Sequence, residues 1–293
     1  MGVKGVISST DGHSLPFYVG CSGWSYTAWK GHFYPSNLDN SQWLSYYSQI
    51  FDYVEIDSSF YKIPNIFTVR NWDKKTSAEF KFTAKFPKVI THDKRLENVD
   101  KELEYFFEAV HPLQDKTLAL LIQLPPSLEI SEGLERLKEL VPQLDNKFRY
   151  AVEVRHKSWF QELAYTFFAN NNLCLAWSQL ADIQTPPVVT TDFVYLRLIG
   201  DRSINENDFG MIQKDRTEEM QKWAHKLTII EEEEKAAAQV KLAIVSANNH
   251  YAGFGPATAN MLRKMLALHP VDWTAHTLHT KSDSSQRSIY DFV

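Results

Sequence analysis

Eight short runs rich in β-branched and aromatic residues recur along this chain: FYVGC (17–21), YVEID (53–57), FKFTAK (80–85), LALLIQL (118–124), RYAVEVR (149–155), LCLAW (173–177), FVYLRLIG (193–200) and VKLAIVSA (240–247). Between most of them lie stretches with a helical apolar period, such as DNSQWLSYYSQI, NVDKELEYFFEAV and SEGLERLKELV, the last opened by Ser131 as an N-cap. Strand and helix alternate. Eight such units predict an α/β fold, a parallel sheet closed as a TIM-type (β/α)8 barrel; a doubly wound open sheet shares the alternation and is the fold alternative. The link from Ser178 to Asp192 holds Pro186 and Pro187 and leaves room for little helix, so one unit is expected to be degenerate. The last barrel helix is placed at Pro256 to Leu268.

The barrel accounts for residues 17–268 as a single domain. Residues 1–16 read as an N-terminal extension, and residues 269–293 as a flexible polar tail without a period. The run Glu231 to Glu234, near the end of a long helical pattern, reads as a solvated face. A net charge of -5 argues against binding nucleic acid over the whole surface, while leaving a local basic cleft admissible. Two cysteines, Cys21 and Cys174, are too few for a disulfide framework, and no apolar run approaches the length of a membrane span. A cytoplasmic protein with no membrane role is expected.

In a parallel barrel the reactive face lies at the C-terminal ends of the strands and in the loops after them. Alternation along a strand puts i and i+2 on one face, which pairs Glu55 with Asp57, Lys81 with Thr83 and Lys85, Glu153 with Arg155, and Tyr195 with Arg197. With Gln123, His92, Asn248, Asn249 and His250 these make a ring of acids, cations and amides. Such a ring either neutralises itself as a salt-bridge network or meets a ligand, because buried unpaired ions cost several kcal/mol each. As a site, it offers Glu55 and Glu153 as general base and acid, Lys85, Arg155 and Arg197 as anion holders, and His92 and His250 as proton carriers or donors. A divalent metal on Glu55, Glu153, His250 and His92 is the competing use, disfavoured by the many cations; no metal ligand set is assigned and no organic cofactor is expected.

The segment CSGWSYTAWKGHFYP follows the first strand. Its Trp24, Tyr26, Trp29, Phe33 and Tyr34 serve either as rings for stacking on a ligand or as a hydrophobic plug under the loop. Ser22 lacks the Gly-x-Ser-x-Gly elbow of an activated nucleophile, and Cys21 reads as buried.

The blocks YVGCSGWSYTAWKGHFYP, VEIDSSFYKIP, FTAKFPKVITHDKRL, LIQLPPS, AVEVRHKSWF, DFVYLRLIGDRSI and SANNHYAGFGPATA resemble, in order and approximate spacing, the YecE-like family, domain of unknown function 72. The resemblance covers about residues 17–268 and implies a one-domain TIM-type barrel. It carries the family pattern onto Glu55, Ser58, Phe60, Tyr61, Lys85, Pro87, His92, Gln123, Pro125, Glu153, Arg155, Trp159, Arg197 and Asn248, with Cys21 where Thr is more usual and Asp57 where Asn is common. It names no reaction. The substrate-binding set is therefore Lys85, Arg155, Arg197, Gln123, Asn248, His250, Tyr61, Trp24 and Asp57, around catalytic Glu55, Glu153 and His92.

Gln286, Ile289, Phe292 and Val293 resemble the Gln-x-x-aliphatic-x-x-aromatic-aromatic peptide that docks on PCNA-type sliding clamps, with Val293 replacing the second aromatic. One helical turn would present Ile289 and Phe292 together, each contributing about 1.5–3 kcal/mol if buried. The leading functional expectation is an enzyme, a hydrolase with paired carboxylates, acting on a phosphate-bearing substrate such as nucleic acid or a nucleotide and recruited to DNA by a clamp. The alternatives are a hydrolase, lyase or isomerase of a phosphorylated or carboxylated sugar-like compound, and a non-catalytic adaptor.

Overall fold

The computed structural model describes residues 15–237 and 240–274. Among them nine strands, β1 Phe17–Ser22, β2 Tyr53–Ile56, β3 Lys81–Lys85, β4 Thr117–Gln123, β5 Tyr150–Glu153, β6 Leu173–Leu175, β7 Trp177–Leu180, β8 Phe193–Gly200 and β9 Leu242–Ala247, form one sheet in the order β6-β5-β4-β3-β2-β1-β9-β8-β7. Each pairing is parallel.

The expected sixth strand is broken in two at Ala176. β6 pairs with β5 and β7 pairs with β8, while the Ala176 amide still donates to the Val152 carbonyl at 2.9 Å. One bent stave thus hands the ladder from one edge of the sheet to the other, and eight staves surround the lumen as in a TIM-type barrel. β7 runs on to Leu180 and folds back through a bridge from Gln179 to Gln184, with no helix before β8. The degenerate unit lies where Pro186 and Pro187 placed it.

The helices are α1 Trp43–Tyr47, α2 Ile66–Lys74, α3 Asp100–Val110, α4 Ile130–Leu140, α5 Glu162–Asn170, α6 Thr217–Ala237, α7 Asn249–Ala252 and α8 Gly255–Met265. α3 shows the local logic. Asp100 and Glu102 sit in its first turn, where carboxylates favour the positive helix end, and Leu103, Phe106, Ala109 and Val110 bury one stripe. α4 buries Ile130, Gly133, Leu134, Leu137 and Leu140, but Ser131 is not its cap. The cap position belongs to Glu129 without a side-chain bond, and the orphan amide of Ile130 takes the Ser158 hydroxyl at 3.0 Å instead. Gly133 is required there: a Cβ would stand 2.5 Å from the Trp159 ring.

The acidic run also departs from expectation. In α6 the buried phase passes through Met220, Trp223, Ala224, Leu227 and Ile230, which carries Glu231 inward at 4% exposure, while Glu232 and Glu233 are exposed. Beyond α8 the chain stays on the barrel: Asn260 exchanges hydrogen bonds with Val271, and the Trp273 indole donates to the His32 carbonyl at 3.0 Å. No helix among the described residues is long and apolar enough to cross a membrane.

Two cores result. A large one fills the space between strands and helices; a smaller one fills the lumen, with Tyr53, Leu121, Ala151, Cys174, Tyr195 and Ile244 among its members. Trp29, Phe33 and Tyr34 belong to the outer core and are fully buried, so this part of the aromatic segment is a plug.

Candidate functional site at the strand ends

Above the apolar lumen the inward side chains turn polar. The hydroxyls of Tyr53, Thr83 and Tyr195 meet one another at 2.7–3.0 Å, and Tyr195 donates to Glu55 Oε2 at 2.5 Å. Register brings Ser22 of β1 beside Glu55, and Glu55 beside Thr83. Ser22 donates its hydroxyl to Glu55 Oε1. Its hydroxyl is spent on holding a carboxylate.

Arg197 of β8 is the centre of this layer. It is 2% exposed and grips Glu55 with two nitrogens, Nε to Oε2 at 2.8 Å and Nη2 to Oε1 at 2.6 Å, while Nη1 donates to Glu153 Oε2. Arg155, just past β5, donates from Nε to the other oxygen of Glu153 and from Nη2 to Gln123 Oε1 at 3.1 Å. A planar fork suits this bridging role, which a lysine would not fill. Burial pushes the Glu55 carboxyl up, but Arg197 and Lys85 outweigh it and hold the group at about 2. Glu153 is depressed in the same way, burial being overcome by Arg155 and Arg197. Burial opposes the charge on Arg197, and the two glutamates nevertheless raise its pKa well above the ordinary value. Both glutamates are fully buried and neither borders open space.

The space begins one layer higher, as a cavity of about 460 Å³ over the strand ends. Arg197, Arg155, Lys85 and Gln123 form its floor, with Asp57 beside them. Lys85 pairs with Asp57, lies 3.9 Å from Glu55, and sits over the Phe60 ring at 5.7 Å. Trp24, Tyr26, Phe60, Tyr61 and Phe209 supply rings to the walls. Trp24 stands edge-on to Trp72 at 5.4 Å, Tyr26 edge-on to Phe209 at 5.9 Å, and Tyr61 remains 68% exposed at the rim. The aromatic segment after β1 is therefore divided: Trp24 and Tyr26 face the cavity while Trp29, Phe33 and Tyr34 plug the outer core beneath the loop.

Asn248 caps α7 through its side-chain oxygen, which accepts from the His250 amide at 3.0 Å. Gly200, in the left-handed region at φ +80°, ends β8 where a Cβ would strike the His250 carbonyl at 2.2 Å. His250 lines the cavity with its ring against Phe209, and its Nδ1 finds no hydrogen-bond partner among the described residues. Burial, then the Arg202 charge, lowers its pKa. His92 lies in a π-helical turn after β3, edge-on to Phe60 at 5.0 Å and outside the cavity lining. Burial and the Arg155 and Lys85 charges lower its pKa as well.

Of the expected site residues, Asp57, Lys85, Arg155, Arg197, Gln123, Asn248, His250, Tyr61 and Trp24 border one cavity. Glu55 and Glu153 lie beneath it and His92 beside it. Lys81, in phase with Lys85, sits at the other end of β3 and reaches the Asp115 carbonyl. Arg202, Glu206 and Phe209 escaped the sequence reading. They come from the connection between β8 and α6, which is folded over the mouth and held by Asp201 pairing with Lys214. Its length and an arginine two residues past the strand were the available signal. Among the described residues no group of three or more His, Cys, Asp and Glu side chains is placed to hold a metal ion. Gln286, Ile289, Phe292 and Val293 lie outside the described residues.

The comparisons agree with this architecture. The chain is similar to a DUF72 family protein from Thermotoga maritima MSB8, with a TM-score of 0.70 and 27% identity over 86% of this chain and 99% of that one. A DUF72 family protein from Enterococcus faecalis V583 superposes with a TM-score of 0.69 at 21% identity, covering 88% of this chain and 100% of that one, and supports the fold. Escherichia coli K12 UPF0759 protein YecE is 30% identical over 143 residues, 49% of this chain and 50% of YecE. Bacillus subtilis UPF0759 protein YunF is 28% identical over 155 residues, 50% of this chain and 54% of YunF. The chain thus spans about half the length of the curated relatives it matches. A family model described as protein of unknown function DUF72 matches residues 18–282, and with the barrel and its strand-end cavity in view, the chain belongs to the DUF72 family.

Proposed function

We propose that this barrel binds and acts on a phosphate-bearing substrate of nucleotide size, either a free nucleotide or one nucleotide of a nucleic acid. One observation carries the reading: a cavity of about 460 Å³, inside the range of ligand sites, has immobilised cations on its floor and aromatic rings on its walls. Arg155 and Lys85 suit a phosphate, and Trp24, Tyr26 and Tyr61 suit a planar base or the face of a sugar. The two glutamates keep Arg197 and Arg155 in place. Held ionised and wholly buried, they serve as positioning residues, and proton transfer falls to groups that border the cavity, Asp57 and His250. The reaction class this favours is hydrolysis or transfer at a phosphate ester, with the cations stabilising developing charge.

A sugar-like phosphate or carboxylate is the second reading. The mixed donors and acceptors of Gln123, Asn248 and Asp57 in the lining favour it, because hydroxyl groups need both. Calorimetric titration with AMP, ribose 5-phosphate and a short single-stranded oligonucleotide separates the cases. Binding of AMP or the oligonucleotide, lost by at least tenfold in Arg155→Ala, is expected; ribose 5-phosphate binding alone transfers the site to the second reading, and no binding of any of the three removes both. Recruitment to a sliding clamp through Gln286, Ile289 and Phe292 rests on the sequence motif and belongs to the same proposal. Equal recovery on immobilised clamp of the full chain and of its Ile289→Ala/Phe292→Ala variant removes that part.

A further inference from the structure

The floor that is to receive an anion is already neutral. Three carboxylates, Glu55, Asp57 and Glu153, face three cations, Lys85, Arg155 and Arg197, and every cation has a carboxylate partner. At the rim Arg202 and Glu206 add one charge of each sign to the lining. A negative guest placed here leaves one carboxylate without its counterion in a poorly solvated space, which is unfavourable unless a positive charge arrives with it.

The three carboxylates differ in how firmly they are held. Glu55 accepts from Arg197 twice, from Tyr195 and from Ser22, and is sealed from water. Glu153 accepts from Arg155 and Arg197 and is equally sealed. Asp57 stands just past β2 with Lys85 as its partner, its side chain is 23% exposed, and it borders the cavity. Lys85 is also the cation whose present partner a guest could replace without breaking the buried layer.

We infer that the site takes up its anion together with one proton, and that Asp57 receives the proton as Lys85 passes from Asp57 to the guest. The balance is explicit: a solvent proton joins the Asp57 carboxylate, the Lys85 ammonium keeps its charge and changes partner, and one negative charge of the guest is offset, so that a phosphodiester leaves the floor neutral and a dianion leaves it one unit negative. Asp57 in its acid form then borders the bound phosphate as a hydrogen-bond donor and general acid. The groups around Asp57 are accounted for. Tyr26, after β1, is held neutral by burial and by Asp57 itself. Glu55 on β2 and Arg197 on β8 are locked together. Arg155, after β5, is committed to Glu153. His250, after β9, has its pKa lowered by burial and by Arg202, and His92, beyond Lys85, by burial and by Arg155.

This inference rests on the anion reading of the cavity, and the test keeps the two apart. The probe is sulfate, which does not itself titrate between pH 5 and 8. Calorimetry with the full-length protein in two buffers of different ionisation enthalpy counts protons directly, and the pH series gives the linkage. Expected are uptake of about one proton per sulfate and an affinity that weakens about tenfold per pH unit where uptake is complete. In Asp57→Asn the uptake falls to zero, the slope flattens, and binding at pH 8 tightens. Sulfate binding with no proton uptake and no slope overturns the inference and leaves the anion site standing. Uptake that persists unchanged in Asp57→Asn, or gives way to a requirement for added metal cation, overturns the assignment to Asp57. No sulfate binding anywhere from pH 5 to 8 overturns the anion reading itself.

Discussion

Two ionic layers lie at the same end of this barrel, a few ångströms apart, and they are built from the same residue types. In the lower one Glu55 and Glu153 are sealed beneath Arg197, which touches the cavity floor, and they are bonded at each carboxylate oxygen and locked in charged form. In the upper one Asp57 and Lys85 pair beside open space, and Arg155 spans the two. The lesson concerns where charge is useful. A buried network holds its members in one geometry because leaving any of them unpaired is costly, whereas the pair next to the cavity has open space beside it, as the proposed exchange of partners requires. The lower layer is a mount, and in the proposed function the upper layer is the working surface.

The largest effect is expected from removing the centre of the mount. Arg197→Met strands two buried carboxylates and is expected to cost about 3–5 kcal/mol in urea denaturation. A loss below about 1 kcal/mol would mean that the layer does not act as a unit. The second effect is acid sensitivity. Glu55 is held at about 2 in the folded protein against an ordinary 4.5, so its folded value is depressed. Its contribution to stability is complete above pH 4.5 and is lost as the pH falls toward 2. Denaturation midpoints measured from pH 5 to 3 are expected to fall, and to fall less steeply in Glu55→Gln; parallel curves would contradict the mount. The smallest effect on stability sharpens the upper layer. Tyr61→Ala at the exposed rim is expected to change stability by no more than about 0.5 kcal/mol. Its AMP affinity should nevertheless drop by about 1–3 kcal/mol if the ring stacks on the base. Unchanged affinity would place the planar moiety elsewhere.

Much of the fold was legible because each strand carried its own signal. The β-branched run of β8, FVYLRLIG, and the amphipathic stripe of α3 follow local rules that need no knowledge of the rest of the chain. The break at Ala176 was not legible, since LCLAW reads as one strand whichever neighbour each half pairs with. Ser131 looked like a cap because its type and position fit, yet α4 starts earlier and Ser158, 28 residues away, supplies the bond. The inward turn of Glu231 follows from the phase of α6, which an acidic run conceals.

For the site, alternation along β2, β5 and β8 correctly gathered Glu55, Glu153 and Arg197, since side-chain direction on a strand is fixed by backbone geometry. Their depth was beyond reach. Whether Glu55 borders the cavity or lies under its floor depends on the stagger between strands, and Arg202, Glu206 and Phe209 arrive through the course of one long connection.

The sequence by itself determined the number of barrel units, the end of the barrel at which polar residues collect, and the types of those residues, because all three follow from short-range periodicity. The tertiary structure alone decided which charges pair, which are sealed, and which face open space. Those outcomes depend on distances between side chains that are remote along the chain, set by strand stagger and loop path, to which a one-dimensional pattern is blind.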